Sequence, residues 1–182
     1  MPYAATHILI PVLFFAIMRD FYARKRDKKN FPLHYVLIAG IGGVLPDLDI
    51  PISIILNLIG VENWNVHRTF LHSLLFPLIF FVLFAIFKPM KIKICHREKH
   101  ILNLGTIFLV LSAGILSHIV LDSTFGEIAF FLYPLSSYDF GINLINYLPL
   151  DLQDLALPTL DGALLIIWLV YLEIKHKISD FI

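Results

Sequence analysis

The chain has 182 residues, of which 58% are hydrophobic and 15% charged, with a formal net charge of zero and a mean hydropathy of +0.81. Soluble domains carry about 25% charged residues, so this composition excludes an ordinary globular or disordered chain and favours a membrane protein. No uniformly basic face is apparent, and we expect no nucleic-acid partner. The single cysteine, Cys95, excludes an intramolecular disulfide and a cysteine-based zinc site.

Five apolar blocks are candidates for membrane-spanning helices, which need about 20 residues each. The second block is expected to continue, kinked, through residues 50–59. A further stretch, 128–135, is too short to cross and is predicted to be a re-entrant or interfacial segment. The sequence therefore predicts an all-α fold, an integral membrane helical bundle of about five spans forming a single domain over residues 1–182. The five blocks are residues 3–21, 33–46, 70–87, 101–121 and 160–173.

The basic residues set the predicted orientation. Thirteen of the 14 lysines and arginines lie in the stretches 19–29, 88–99 and 175–177, which occupy alternate connections and the end of the last span. The positive-inside rule places these stretches in the cytoplasm. We therefore predict a multi-pass protein of the cell (inner) membrane, with the N-terminus outside and the C-terminus cytoplasmic. Arg68 is the exception, since it falls on the opposite side.

Histidines and aspartates gather at the predicted non-cytoplasmic ends of the spans. His118 and Asp122 are four residues apart, so they share one helix face. An aspartate pair lies between Pro46 and Pro51, where a regular helix is hard to sustain and we expect an extended turn. Asp161 and Glu127 lie on the same side without an assigned role. The predicted metal ligands are His7, Asp47, Asp49, His67, His72, His118 and Asp122.

Three glycines in the second span, Gly40, Gly42 and Gly43, remove side-chain bulk from its surface. Small residues let membrane helices approach one another closely. We therefore expect another helix to pack tightly against this span.

A site of imidazoles and carboxylates suits a divalent metal, zinc first, with manganese or iron as alternatives. Such an ion lowers the pKa of bound water and polarises a phosphoryl or carbonyl oxygen. Arg68 can hold a phosphate bidentately, and Arg68 and Asp49 are the candidate catalytic residues. These parts favour metal-assisted hydrolysis, with phosphate esters as the preferred class.

Four separated motifs give the chain a resemblance to a known family. The chain resembles the YdjM-like family of predicted membrane-bound metal-dependent hydrolases, which implies a multi-span helical fold and a hydrolase activity. More loosely, the histidine and aspartate series is similar to that of the helical zinc-dependent phospholipases C, although their late His-plus-Glu pair has no match here. The motifs are Thr6-His7 and the segments 43–49, 67–73 and 118–122.

Three functions remain open. The first is a hydrolase embedded in the lipid bilayer, acting on an amphipathic phosphate ester or a lipid. The second is a divalent-cation transporter or binding protein, and the third is a noncatalytic membrane protein with a structural metal site. Because the polar cluster is one-sided and few polar groups continue through the spans, the pattern favours catalysis or fixed binding over passage.

Overall fold

The computed structural model describes residues 3–23, 31–61, 70–93, 101–126, 131–136 and 138–177. Helices dominate these residues, which confirms the predicted all-α class. Short 3-10 helices cover Leu45–Leu48, Phe70–His72 and Leu144–Tyr147. The helices are α1 (Ala4–Ala23), α2 (Leu33–Val44), α3 (Asp49–Leu58), α4 (Leu75–Phe87), α5 (Leu104–Phe125) and α6 (Leu150–His176).

A small hairpin joins α4 to α5, and the sequence patterns did not predict it. Its strands are β1 (Lys91–Lys93) and β2 (Ile101–Asn103), which pair antiparallel with Ile92 opposite Leu102. The Asn103 side chain then accepts a hydrogen bond from the Thr106 backbone N–H at 2.9 Å, an N-cap that starts α5. The predicted fourth span therefore begins at residue 104 rather than 101.

Membrane-spanning helices appear where the apolar blocks predicted them. Within the described residues, four segments are long and apolar enough to cross a membrane, and α4 is a shorter apolar helix. The segment Leu33–Leu58 joins α2 and α3 through the 3-10 turn, as the predicted kinked continuation requires. The predicted all-α membrane helical fold is confirmed, with four helices of spanning length among the described residues and α4 as a shorter fifth.

Three further features differ from the predictions. The extended turn predicted around the aspartate pair is wrong, because 45–48 forms a 3-10 helix and α3 starts at Asp49. Pro46 and Pro51 occupy first turns of these helices, where the missing N–H breaks no hydrogen bond. The third span starts at Leu75 rather than at residue 70. The last helix is longer than predicted, from 150 to 176, and contains Pro158.

The predicted re-entrant or interfacial segment is described only in part. Residues 127–130 lie outside the described part of the chain, and 131–135 form turns. Within these turns, the Phe131 carbonyl accepts a hydrogen bond at 3.1 Å from the N–H of Leu74, just before α4.

The helices alternate in direction. Arg19 donates to the Phe31 carbonyl at 3.0 Å where α1 ends and α2 begins. The opposite end of the bundle, where α1 begins and α5 ends, is called the ligand end below. The described residues Arg19, Lys88 and Lys175 of the basic stretches lie at the other end, as the topology predicts. Which end faces the cytoplasm stays a prediction.

Glycines bring α1, α2 and α5 into backbone contact, as expected. A methyl group at Gly43 would overlap the His7 carbonyl oxygen of α1. On another face of α2, a methyl group at Gly42 would lie 2.8 Å from the Leu111 carbonyl oxygen of α5. Close packing of this kind leaves little freedom in the spacing of the three helices.

Candidate metal centre

Four ionisable side chains are buried together at the ligand end. Their exposed fractions are 2% for His7, 0% for His72, 0% for His118 and 1% for Asp122. Asp47 joins them with 25% of its side chain exposed. Ionisable groups at membrane depth are costly and mark functional sites. The structure thus brings together five of the seven predicted ligands in one cluster.

Gly43 fixes the orientation of His118. The Nδ1 of His118 lies 2.7 Å from the Gly43 carbonyl oxygen. Because a carbonyl only accepts, this nitrogen carries the proton and donates it. The Nε2 of His118 then presents a lone pair to the cluster, the arrangement of a metal-binding histidine held by a backbone carbonyl.

Two carboxylate oxygens lie close to the same pair of histidine nitrogens, and these four side chains are called the quartet below. The Nε2 atoms of His72 and His118 face each other at 3.3 Å. Asp47 Oδ1 lies 3.6 Å and 3.5 Å from these two nitrogens, and Asp122 Oδ2 lies 3.8 Å and 3.5 Å from them. Two nitrogens bound to one tetrahedral zinc at about 2.0–2.1 Å are about 3.3–3.4 Å apart. The spacing of this quartet fits a single divalent ion.

Asp122 provides an independent test of this fit. Both of its carboxylate oxygens are buried and have no hydrogen-bond partner among the described residues. Its oxygens lie 3.3–3.8 Å from Nε2 of His7, His72 and His118, and a buried carboxylate is unfavourable by several kcal/mol or more unless a cation or donors compensate it. A divalent cation bound by the quartet would satisfy these oxygens, so the donor set fits a metal.

Asp49 occupies a different position from Asp47. Its Oδ2 lies 3.3 Å from Nδ1 of His72, on the side of the ring away from the quartet, and the residue is fully buried. Asp47 and Asp49 therefore contact the two ring nitrogens of His72 from opposite sides, at 3.6 Å and 3.3 Å. Direct metal binding by Asp49 stays a prediction, and its position is that of a carboxylate that orients a ligand.

His7 contacts the other edge of the cluster. Its Nε2 lies 3.3 Å from Asp122 Oδ1, and its ring stacks on that of His118 with centroids 3.9 Å apart. One candidate metal group consists of His7, His118 and Asp122, and a second consists of Asp47, His72 and His118.

Asp161 acquires a role that sequence reasoning did not assign. Its Oδ1 accepts hydrogen bonds from both the backbone N–H, at 3.0 Å, and the hydroxyl of Thr6. Thr6 is the third residue of α1, whose N–H has no partner within the helix. Asp161 therefore caps α1 from α6, one residue before His7. The only sequence signal was its location at the same predicted membrane face.

Three predicted residues fall outside the described part of the chain. These are His67, predicted as a ligand, Arg68, predicted as catalytic, and Glu127.

Comparison with known proteins identifies the family. A family model described as YdjM inner membrane protein matches residues 1–176, which include all four motifs. No curated protein and no solved structure matches the chain, so the looser similarity to zinc-dependent phospholipases C stays a prediction. The family and the apolar helices together place the protein in the inner membrane. The chain belongs to the YdjM inner membrane protein family.

Proposed function

We propose that this protein is a membrane-embedded metal-dependent hydrolase of an amphipathic phosphate ester or lipid. The observation that carries the proposal is the clustering of the Asp47 and Asp122 carboxylates around the Nε2 atoms of His72 and His118. Zinc is the preferred ion for this donor set, with manganese and iron as alternatives. When bound, such an ion would polarise the scissile phosphoryl or carbonyl group and, through a coordination position beyond its protein ligands, would supply a water of lowered pKa.

Neighbouring groups of the protein orient the two histidine rings of the quartet. Gly43 orients the His118 ring, and Asp49 orients the His72 ring, so both Nε2 atoms point inward. Asp47 is the most exposed of the quartet, so we place the substrate's approach on its side. Arg68 and His67 adjoin this region in sequence, and the phosphate-binding role of Arg68 remains part of the proposal.

The depth of the centre supports a lipid-like substrate. Asp122 is 18 residues beyond the start of α5, which corresponds to about 27 Å of helix. The hydrocarbon core of a bilayer is about 30 Å thick. The centre therefore sits near the headgroup level of one leaflet, where a phospholipid or isoprenoid phosphate presents its ester bond.

The bundle below the centre argues against ion passage. Side chains of α1, α2 and α5 form an apolar core between the centre and the opposite end. Ser112 is a buried polar residue in this region, and its hydroxyl donates to the Pro77 carbonyl at 2.8 Å. Transport would need a continuous polar route. The core residues include Val12, Phe15, Ala16, Val36, Ala39 and Val110.

A structural metal is the second candidate function, and one observation favours it. The quartet comes from three separate segments, namely the 3-10 turn 45–48, the 3-10 turn 70–72 and α5. An ion shared by them would tie these segments together. Under this reading, removal of the metal lowers stability and no substrate is hydrolysed.

A chelator-controlled hydrolysis screen separates the two functions. Purified protein in detergent is offered phospholipids, isoprenoid phosphates and soluble phosphate esters, before and after chelation and again after zinc is restored. We expect hydrolysis that chelation abolishes, that zinc restores, and that Asp47→Ala and His118→Ala both lose. The matched control His176→Gln changes a histidine at the far end of α6 and should retain activity. Hydrolysis that survives chelation or both alanine variants contradicts the proposal, and absence of activity on all substrates favours the structural metal.

A further inference from the structure

The carboxylate of Asp122 faces two groups of nitrogen atoms. Its Oδ2 lies 3.5 Å and 3.8 Å from the Nε2 atoms of His118 and His72. Its Oδ1 instead lies 3.3 Å from Nε2 of His7. Both oxygens are buried without a hydrogen-bond partner in the described part of the chain. One ion on the quartet side accounts for Oδ2 and leaves Oδ1 to be explained.

His118 cannot serve both candidate metal groups. Its Nδ1 proton is donated to Gly43, so a single lone pair remains, on Nε2. That lone pair points toward His72 Nε2 at 3.3 Å and belongs to the quartet. A carboxylate has two oxygens, each able to bind a cation. Asp122, rather than His118, is therefore the group that can be shared.

The contact between His7 and Asp122 does not have the length of a strong hydrogen bond. A charge-assisted N–H to carboxylate bond is about 2.7–2.9 Å long, whereas this pair is separated by 3.3 Å. The separation instead matches two ligands on one ion, about 3.3 Å apart. His7 is thus placed as a nitrogen ligand beside Asp122.

We infer that His7 Nε2 and Asp122 Oδ1 bind a second divalent cation, so that Asp122 bridges two ions. This inference rests on the proposed metal centre. The first ion has four protein ligands, whereas the second has two among the described residues. Its remaining positions are left for water and for substrate oxygens, as in catalytic sites that keep open positions. The second ion should therefore bind more weakly than the first.

Metal stoichiometry tests the inference without relying on activity. Protein is equilibrated by dialysis at a series of fixed free-zinc concentrations up to saturation and analysed for zinc per chain. We expect two ions in the wild type, one in His7→Gln and two in the control His176→Gln. One ion in the wild type overturns the inference and leaves the proposed centre standing. Two ions in His7→Gln also overturn it, and no ion in the wild type overturns both.

Electron paramagnetic resonance of the manganese-loaded wild type gives a second test that needs no variant. Two Mn²⁺ ions bridged by a carboxylate are magnetically coupled, so filling both sites should replace the isolated six-line signal with a broad coupled spectrum. An isolated six-line signal at full occupancy would overturn the bridged pair, even if His7→Gln fails to fold.

Discussion

Replacing Gly114 with alanine tests whether the close contact of α2 and α5 holds the metal centre in shape. A methyl group at this position would lie 2.5 Å from the Ala39 carbonyl oxygen and 2.9 Å from the Gly42 Cα. Carbon–oxygen contacts normally lie at about 3.3–3.6 Å. Both neighbours are backbone atoms and cannot rotate away. The two helices must therefore separate locally by about 0.8 Å.

The separation should reach the metal centre within one helical turn. Gly114 is four residues before His118, on the same face of α5. If the shift is fully transmitted, the 2.7 Å distance from His118 Nδ1 to the Gly43 carbonyl oxygen grows to about 3.5 Å, the limit of a hydrogen bond. Loss of such an orienting contact lowers metal affinity by about 10–100-fold. Overpacking lowers the free energy of unfolding by about 1–3 kcal/mol, less about 1 kcal/mol recovered from alanine's helix propensity.

Two measurements check this prediction. Zinc affinity is measured by competition with a chelating dye, and stability is measured by thermal unfolding of the metal-free protein in detergent. The matched control is Gly162→Ala on α6, where an added methyl group meets no atom within 4 Å. It should leave zinc affinity unchanged and stability equal or slightly higher. Wild-type affinity and stability in Gly114→Ala would refute the reasoning.

Three further predictions address the orienting groups and the metal. Asp49→Asn should lower zinc affinity about 10–100-fold without changing the number of bound ions, whereas Asp47→Ala should abolish tight binding. Both affinities are measured by dye competition, and equal losses in the two variants would mean that Asp49 is a direct ligand. Asp161→Ala should lower the unfolding free energy by about 1–3 kcal/mol, because α1 loses its cap, while exposed Asp154→Ala should not; equal thermal shifts would contradict the capping role. Zinc at 100 times its Kd should stabilise the metal-free protein by about 2.7 kcal/mol, which is measured as a higher unfolding temperature that chelation reverses. An unfolding temperature that does not change with zinc would contradict metal binding at this centre.

Most of the spans could be located from the sequence because the hydrocarbon core of a bilayer imposes simple requirements on a protein chain. A spanning helix must satisfy its backbone internally and expose apolar side chains, so long apolar blocks reveal spans directly. The fourth block, for example, was predicted as 101–121 and corresponds to helix α5 at 104–125. The assignment of each helix end to one membrane face also grouped His7 with Asp122. These residues are more than a hundred positions apart in sequence and lie 3.3 Å apart in the structure.

Local geometry and long-range partners could not be read from the sequence. Asp47 and Asp49 have the same chemistry and lie two residues apart, and the 3-10 turn alone directs one toward the nitrogens and the other behind His72. The capping of Thr6 by Asp161 depends on the packing of α6 against α1. Neither the different positions of Asp47 and Asp49 nor the capping by Asp161 can be predicted from hydropathy or charge patterns. Both depend on where a side chain points after the helices have packed.

Stability alone gives no reason for the protein to keep this cluster. Buried ion pairs replaced by apolar residues of similar volume often leave a protein equally or more stable, and the apolar core formed by Val12, Ala39 and Val110 shows that this bundle packs well without charge. The cluster instead buries Asp122 with no hydrogen-bond partner among the described residues. It also leaves Asp47 partly exposed. A purely structural site would have no need of that opening, whereas a hydrolase of lipid-like phosphate esters requires it.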